Sequence, residues 1–187
     1  MDLSLTDSGV AVYSLSEKRI VHMDNCNTDS VRSVKKYRGY ELNPIKLNMQ
    51  REFFEDIKRK FPPKLVVFER GFARYRNEVM VLNQVNGVVF SIFWNYTHFL
   101  YTPKGVKAEI VHGSADKEVV RDVLILNNPE LKGNKEFYDN DNISDAVAVL
   151  YTYLLKNKII PKSEWNKGEF PRSIQTRRKM VKKKNIK

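Results

Sequence analysis

Three acidic residues occupy positions from which they could bind a divalent cation. Asp2 precedes a Ser/Thr/Gly-containing turn that leads into a strand, Glu69 follows a short apolar run, and Asp145 lies where a helical pattern opens. Carboxylates gathered without a counter-charge repel one another and raise each other's pKa values. Mg²⁺ is a hard cation that takes oxygen ligands and can bridge a phosphate group. The three residues therefore predict a magnesium site that acts on phosphate, provided that the fold brings them together.

The elements that must position these acids follow from apolar periodicity and turn residues. Alternating β-branched residues predict a hairpin, and the unbroken apolar run before Glu69 predicts a strand buried on both faces. Apolar residues at helical spacing predict helices, the first of which stops at Pro62-Pro63. The predicted order is hairpin 9–15 and 18–24, helix 44–61, strand 65–68, helix 77–93, strand 106–112, helix 115–126 and helix 143–155, the last opened by Asn142 or Ser144. This order indicates an α/β layer with a mixed sheet.

The predicted helix 77–93 has two apolar stripes. One contains Val85 and Ile92, and the other contains Val89 and Phe93. Each stripe needs a cover. We expect the sheet to cover one stripe, and either a partner subunit or another helix of the same chain to cover the second.

The charge of the chain is unevenly distributed. Its 187 residues contain 33 Lys and Arg against 22 Asp and Glu, which gives a net charge of +11, and 42% of them are hydrophobic. That apolar content excludes a wholly disordered basic protein and predicts one folded domain. Residues 172–187 contain eight basic residues and no acidic one. We therefore expect a folded domain over residues 1–160, followed by a polar linker and basic tail over 161–187.

The basic tail has two interpretations. It is either a solvated, mobile end or an arm that grips phosphate and makes binding depend on salt. A basic protein with this composition most often binds nucleic acid, although ribosomal and structural proteins share the same charge balance.

Cysteine usage and hydropathy exclude other classes of protein. Cys26 is the sole cysteine, so the chain has neither an internal disulfide nor a cysteine-based zinc cluster. The longest apolar stretches are too short for a membrane span, and the N-terminus lacks the pattern of a signal peptide. We expect a soluble protein of the cytoplasm.

Four motifs occur in an order that resembles a known family. They are the segment from Asp2 to Val12, the run Val66-Val-Phe-Glu69 with Phe72 three residues on, Val106-Lys107 followed by His112-Gly-Ser-Ala-Asp-Lys117, and Asp141-Asn-Ile-Ser-Asp145-Ala. Over residues 2 to about 156 the chain resembles the RuvC-type Holliday junction resolvases, in the branch found in bacteriophages.

The resemblance implies both a fold and an activity. The fold is an RNase H-like α/β domain with a mixed five-stranded sheet flanked by helices. The activity is cleavage of four-way DNA junctions, and of other branched DNA, by paired nicks that leave 5′-phosphate and 3′-hydroxyl ends. Two Mg²⁺ ions, which Mn²⁺ can replace, would serve in hydrolysis. The resemblance also implies a homodimer, because the junction is two-fold symmetric. For a phage protein the location is the host-cell cytoplasm.

The resemblance also implies roles for individual residues. Asp2, Glu69 and Asp145 would be metal ligands. The family has a further metal-site residue at the position of Asn142, so either Asn142 ligates through its carbonyl oxygen or the neighbouring Asp141 takes its place. The residues expected near DNA are Lys107 and Lys117 at the scissile phosphate, the aromatic Phe72 in the junction core, and Arg70, Arg74 and Arg76 around it.

Two departures from the family pattern support an alternative function. Only Met1 precedes Asp2, although a central first strand is expected to have several apolar residues before its metal ligand. This indicates either that Asp2 is positioned differently from the family's first metal ligand or that the chain starts further upstream. Asn142 replaces a residue of the metal site. The alternative is a protein that keeps the fold and binds branched DNA with weak catalysis or none.

Overall fold

The computed structural model describes residues 1–33, 42–71 and 76–168. Its elements, in chain order, are β1 (Asp7–Ser14), β2 (Arg19–Asn27), α1 (Leu42–Lys60), β3 (Leu65–Glu69), α2 (Arg76–Ile92), β4 (Thr97–Tyr101), α3 (Pro103–Ile110), α4 (Lys117–Asn127), α5 (Lys135–Asp139) and α6 (Asp141–Lys156). The predicted hairpin, the strand ending at Glu69 and the four predicted helices are confirmed, with shifts of a few residues at their ends.

The strands pair in two groups. β1 and β2 are antiparallel, whereas β3 and β4 are parallel. The described ranges therefore contain two two-stranded sheets, and the predicted five-stranded sheet is not shown.

Two residues at the start of the chain connect the two sheets. Asp2 exchanges backbone hydrogen bonds with Gly9 of β1, at 3.0 and 2.9 Å. On the other side, the Met1 nitrogen donates to the Val67 carbonyl at 2.8 Å, and the Glu69 N–H donates to the Met1 carbonyl at 2.9 Å. Met1 and Asp2 therefore lie between β1 and β3, antiparallel to the first and hydrogen-bonded to the second in a parallel pattern.

The helices cover both faces of the strands. Successive side chains of a strand point to opposite faces. In β3, Val67 packs in a buried cluster with α3, α4 and α6, whereas Val66 and Phe68 pack in a second cluster with α1 and α2. Both clusters have fully buried members, such as Val147 in α6 and Phe54 in α1. The strands thus lie between two helical layers.

The prediction of a strand over 106–112 is wrong, because this segment lies largely in helix α3. The side chain of Thr102 accepts a hydrogen bond from the Gly105 N–H, and Pro103 occupies the first turn. Both features favour a helix start. Val106 and Ile110, four residues apart, form the buried stripe of α3.

The strand β4 was not predicted from the sequence. The segment Thr97–Tyr101 pairs in register with β3 along its length. His98 stacks on Phe90 of α2. The aromatic residues of this segment thus belong to a strand. Its parallel partner, β3, precedes α2 in the sequence.

Residues beyond α6 pack against the domain as far as the structure describes them. Trp165 is buried, and its Nε1 donates to the Ile110 carbonyl at 3.0 Å. The backbone N–H of Asn166 donates to the side chain of Asn127 at 2.8 Å. The basic tail, residues 172–187, lies outside the described residues. No helix within the described ranges is long and apolar enough to cross a membrane.

Candidate active site

Three elements bring the predicted acidic residues to one place. Asp2 lies in the two-residue link between the sheets, Glu69 is the last residue of β3, and Asp145 lies just past the first turn of α6. The negative charges of Asp2 and Asp145 both act on Glu69. The fold therefore joins residues that are 67 and 76 positions apart in the sequence into one acidic cluster.

The electrostatics of this cluster favour a bound cation. Burial, and then the charges of Asp2 and Asp145, raise the pKa of Glu69 to about 8. Burial, and then the charge of Asp145, raise the pKa of Asp2 to about 6. Positive charge close to the cluster would lower both pKa values and relieve the repulsion.

Lys117 supplies positive charge at one side of the cluster. Its Nζ lies 2.6 Å from Oδ2 of Asp145 and 3.6 Å from Oδ2 of Asp141. Although burial alone lowers the pKa of Lys117, its hydrogen bond to Asp145 and the nearby carboxylates raise that pKa overall. The predicted basic residue thus contacts the predicted metal ligand directly.

Asp141 and Asn142 differ in their ion-pair and hydrogen-bond partners. Oδ1 of Asp141 accepts from Arg121 at 2.5 Å, and its other oxygen faces Lys117, so cations neutralise both sides of this carboxylate. Asn142 is half-buried, and its backbone N–H donates to Oδ1 of Asn140 at 2.8 Å. Both residues lie in the first turn of α6, which leaves the fourth metal-site position open between them.

Gly9 allows the first turn of α6 to approach β1 closely. A Cβ atom built on Gly9 would lie 2.0 Å from the carbonyl oxygen of Asn142. Only glycine fits at this distance. The same residue pairs with Asp2, so it sets the separation between two parts of the acidic cluster. This role of Gly9 could not be predicted from the sequence, because Asn142 lies more than 130 positions away.

Asp7 is a further acid beside the cluster, and it was not predicted as a site residue. Its carboxylate accepts from the side chain of Asn25 at 2.6 Å and from that of Asn140 at 3.4 Å. The charge of Asp7 also raises the pKa of Asp2, after burial and Asp145. The sequence feature that could have identified Asp7 is the presence of a second acidic residue in the turn between Asp2 and Gly9.

The donor set suits a hard cation, but the side chains are not arranged as a metal site. Carboxylate oxygens are the donors that Mg²⁺ prefers. Within the described ranges, however, no three His, Cys, Asp or Glu side chains form a group that could hold a metal ion. Lys117 instead contacts Asp145.

The predicted DNA-contacting residues fall into three groups. Lys107 is half-buried, and its Nζ donates to the Ala115 carbonyl at 2.9 Å, so it fastens the turn that leads to Lys117. Arg70 is exposed directly after Glu69. Phe72, Arg74 and the side chain of Arg76 lie outside the described residues.

A cavity of about 870 Å³ adjoins Glu69 on the side of α2. It lies between α2 and the segment that joins β4 to α3, and its polar lining includes Arg70, Asn83, Asn86 and Lys104. Lys104 was not singled out from the sequence, because nothing in its local pattern indicates that it lies on the same groove as Glu69.

Comparison with known proteins identifies the fold. No protein-family model and no curated protein matches the chain. Among solved structures, Thermus thermophilus RuvC in complex with a Holliday junction substrate superposes with a TM-score of 0.65 at 18% identity, covering 85% of this chain and 92% of that one. The chain has a RuvC-like fold. A second Thermus thermophilus RuvC structure gives a TM-score of 0.64 at 20% identity, with coverage of 84% and 93%. The RuvC-like fold confirms the mixed α/β architecture expected from the sequence.

Proposed function

We propose that this protein is a magnesium-dependent, structure-selective endonuclease that resolves four-way DNA junctions by paired nicks and also acts on related branched DNA. The observation that carries the proposal is the coupled cluster of Asp2, Glu69 and Asp145 within a RuvC-like fold. A protein of that fold has been solved with a Holliday junction substrate. Clustered carboxylates in a basic protein suit a metal ion placed between acid and phosphate.

In this proposal Asp2, Glu69 and Asp145 hold two Mg²⁺ ions, or Mn²⁺ in their place, with Asp141 or Asn142 at the fourth position. When bound, the metal supplies an activated water and stabilises charge on the phosphate oxygens during hydrolysis. Lys117 balances the carboxylate charge before loading. With metal bound to the carboxylates, the ammonium of Lys117 would be available to bind the scissile phosphate.

The proposed path of the DNA follows the basic residues around Glu69. Arg70 and Lys104 border the groove beside Glu69. Phe72, Arg74 and Arg76 follow Arg70 closely in the sequence. Lys107 would contribute indirectly, because its hydrogen bond to the Ala115 carbonyl stabilises the turn that leads to Lys117. Phe72 would stack on an unpaired base, a contact worth about 1 to 3 kcal/mol.

We further propose that the protein acts as a homodimer, since a two-fold symmetric junction requires two matched nicks. Helix α2 exposes two large apolar side chains, with 41% of Val79 and 57% of Met80 accessible, and Trp94 just after the helix is 77% exposed. Exposed apolar side chains on one helix suit an interface between copies.

The basic tail would add general affinity for phosphate to the folded domain of residues 1–160. Its eight basic residues are suited to neutralising DNA phosphates. We also place the protein in the bacteriophage branch of the RuvC-type resolvases, on the four sequence motifs, which implies the host-cell cytoplasm as its location.

One observation favours a second candidate function, a protein that binds branched DNA and cuts it weakly or not at all. Lys117 is bonded to Asp145, and no metal-binding group of three acids is formed in the described ranges. If this ion pair persists in the presence of Mg²⁺, the protein would bind branched DNA without hydrolysing it.

A cleavage assay separates the two functions. A synthetic four-way junction, a fork and a linear duplex of the same sequence are incubated with stoichiometric protein in Mg²⁺, Mn²⁺ or EDTA. The proposal predicts paired nicks in the junction with either metal and none in EDTA. Tight junction binding without a nick under any condition would establish the alternative.

A further inference from the structure

Asp7 and Gly9 lie on the face of β1 that packs against the start of α6. Residues two apart on a strand share one face, and a Cβ atom on Gly9 would lie 2.0 Å from the carbonyl oxygen of Asn142. On the same face, Oδ2 of Asp7 accepts a hydrogen bond from Nδ2 of Asn140 at 3.4 Å. β1 therefore meets the start of α6 at two points, one of which is a carboxylate.

Asn140 is the N-cap residue of α6. Its Oδ1 accepts from the backbone N–H groups of Asn142 and Ile143, at 2.8 and 3.2 Å, and so satisfies two donors at the start of the helix. Since this cap occupies the amide oxygen, the amide nitrogen is the part of the side chain that can donate to β1. The bond to Asp7 thus ties the N-cap of α6 to the strand.

The carboxylate of Asp7 is itself held in place by β2. Its Oδ1 accepts from Nδ2 of Asn25 at 2.6 Å, and Asn25 is the residue of β2 that pairs with Gly9. Asp7 thus receives one amide donor from β2 and a second from the N-cap of α6. Each of its oxygens has a hydrogen-bond partner, so the carboxylate links the hairpin to the helix.

The strand and the helix that are linked in this way hold two of the three acids of the cluster. Asp2 pairs with Gly9 of β1 through two backbone hydrogen bonds. Asp145 lies in α6, shortly after the N-cap Asn140. The position of α6 on β1 therefore determines how far Asp2 lies from Asp145.

We propose that Asp7 is a positioning residue, which fixes the start of α6 on β1 through its bond to Asn140. This contact sets the spacing between Asp2 and Asp145. The inference rests on the proposed function, because it concerns the site that would hold the metal ions. Two ions in such a site lie about 3.5 to 4 Å apart, and a misplacement of about 1 Å can lower a rate about 100-fold. A bond that fixes the spacing therefore affects both Mg²⁺ binding and cleavage.

Variants that leave the net charge of the chain unchanged test the proposal. Asn140→Ser keeps a good N-cap but removes the amide nitrogen that bonds to Asp7. The double variant Asp7→Asn with Asn140→Asp keeps the cap and reverses the bond, because the amide at position 7 can donate to the carboxylate at position 140. Asn134→Ser, at the N-cap of α5, is the matched control.

We predict that Asn140→Ser binds Mg²⁺ at least about fivefold more weakly and cuts the junction at least about tenfold more slowly. The double variant should recover both quantities to within about threefold of the wild type, whereas Asn134→Ser should change neither the Mg²⁺ affinity nor the cleavage rate. Junction affinity in Ca²⁺ and circular dichroism should stay at the wild-type values in every variant, which excludes general unfolding. Calorimetric titration measures the Mg²⁺ affinity, and single-turnover cleavage measures the rate.

Two results would overturn the proposal. Wild-type Mg²⁺ affinity and cleavage in Asn140→Ser would show that the bond to Asp7 does not set the spacing. Losses in the double variant as large as those in Asn140→Ser would show that a reversed bond does not restore the spacing, as expected if Asp7 binds the metal directly. Failure of the wild type to cut the junction would instead contradict the proposed function, and the Mg²⁺ affinities of the variants would still decide this inference.

Discussion

Nζ of Lys117 lies 2.6 Å from Oδ2 of Asp145, so a cation of the chain itself contacts the acidic cluster. The two residues are 28 positions apart and belong to α4 and α6. Their contact places a positive charge where the proposed function requires a metal ion. In the proposed function, the ammonium and the metal would therefore compete for one carboxylate.

Replacing Lys117 should separate metal binding from catalysis. In Lys117→Met, Asp145 loses its competing ammonium, and we predict Mg²⁺ binding up to about fivefold tighter, since a partly exposed ion pair contributes about 0.2 to 1 kcal/mol. Cleavage of the junction should nevertheless fall at least about tenfold, because the phosphate loses a fixed cation. Calorimetric titration with Mg²⁺ measures the first effect and single-turnover cleavage the second.

The matched control is Lys132→Met, at an exposed lysine between α4 and α5. This substitution should change neither the Mg²⁺ affinity nor the rate of junction cleavage. Weaker Mg²⁺ binding by Lys117→Met would contradict competition for Asp145.

The raised pKa of Glu69 predicts that the metal-free protein loses stability as pH rises. The ordinary pKa of a glutamate side chain is 4.5, and burial and the neighbouring acids raise the pKa of Glu69 to about 8 in the folded protein. Between these two values the folded state keeps a proton that the unfolded state releases, so the stabilisation is complete below pH 4.5 and is lost by about pH 8. In EDTA, Glu69→Gln should therefore unfold at a higher temperature than the wild type at about pH 8.5 and at a similar temperature at about pH 4.5.

We expect the difference at about pH 8.5 to be at least about 2 °C, since 1 kcal/mol shifts Tm by about 2 to 4 °C in a chain of this size. Glu55→Gln, at an exposed position of α1, provides the control and should follow the wild type at every pH. A difference that is largest at low pH would show that the sign of the shift is wrong.

Two glycine substitutions test the close approach of α6 to β1. Gly9→Ala would place a methyl group 2.0 Å from the carbonyl oxygen of Asn142. We predict a loss of stability of about 1 to 3 kcal/mol, as for overpacking, together with loss of cleavage. Gly87→Ala, where a Cβ meets nothing within 4 Å in α2, should instead stabilise the protein by about 0.5 to 1 kcal/mol. Urea denaturation measures the free energy of unfolding of both variants. Equal free energies for the two variants would show that Gly9 has no structural role.

The basic tail should control the salt dependence of DNA binding. A chain that ends at Pro171 lacks the last eight basic residues. Each cation that contacts phosphate contributes about 0.9 to the slope of log K against log salt. We predict that the truncated chain has a shallower slope, by about 2 or more, with junction selectivity unchanged. Fluorescence anisotropy across a salt series measures the slope, and identical slopes would mean that the tail is solvated and not in contact with DNA.

The acidic cluster could be predicted because each acid stands at a recognisable boundary. Glu69 ends an apolar strand and Asp145 lies just past the first turn of a helix, and both positions can be recognised from the local sequence alone. The contacts that complete the cluster could not be predicted. Lys117 reaches Asp145, and Gly9 meets Asn142, only because two helices pack on the strands, and no local pattern encodes that packing.

The errors in secondary structure have physical causes as well. The segment 106–112 contains β-branched residues, but the capping by Thr102 and the burial of Val106 and Ile110 on one helical stripe outweigh that preference. β4 has few β-branched residues and acquires its conformation by pairing with β3. The predicted five-stranded sheet is not shown, since Met1 and Asp2 supply two paired residues where a full strand was expected.

Single-turnover cleavage of a labelled four-way junction in Mg²⁺ tests the central claim most directly, with Glu69→Gln compared against Glu55→Gln. The account predicts that Glu69→Gln lowers the cleavage rate by at least about 100-fold while its junction affinity in Ca²⁺ stays at the wild-type value, because the lost carboxylate holds metal and not DNA. Glu55→Gln should cut as the wild type does. Cleavage by Glu69→Gln at the wild-type rate would contradict the assignment of the acidic cluster as the catalytic metal site.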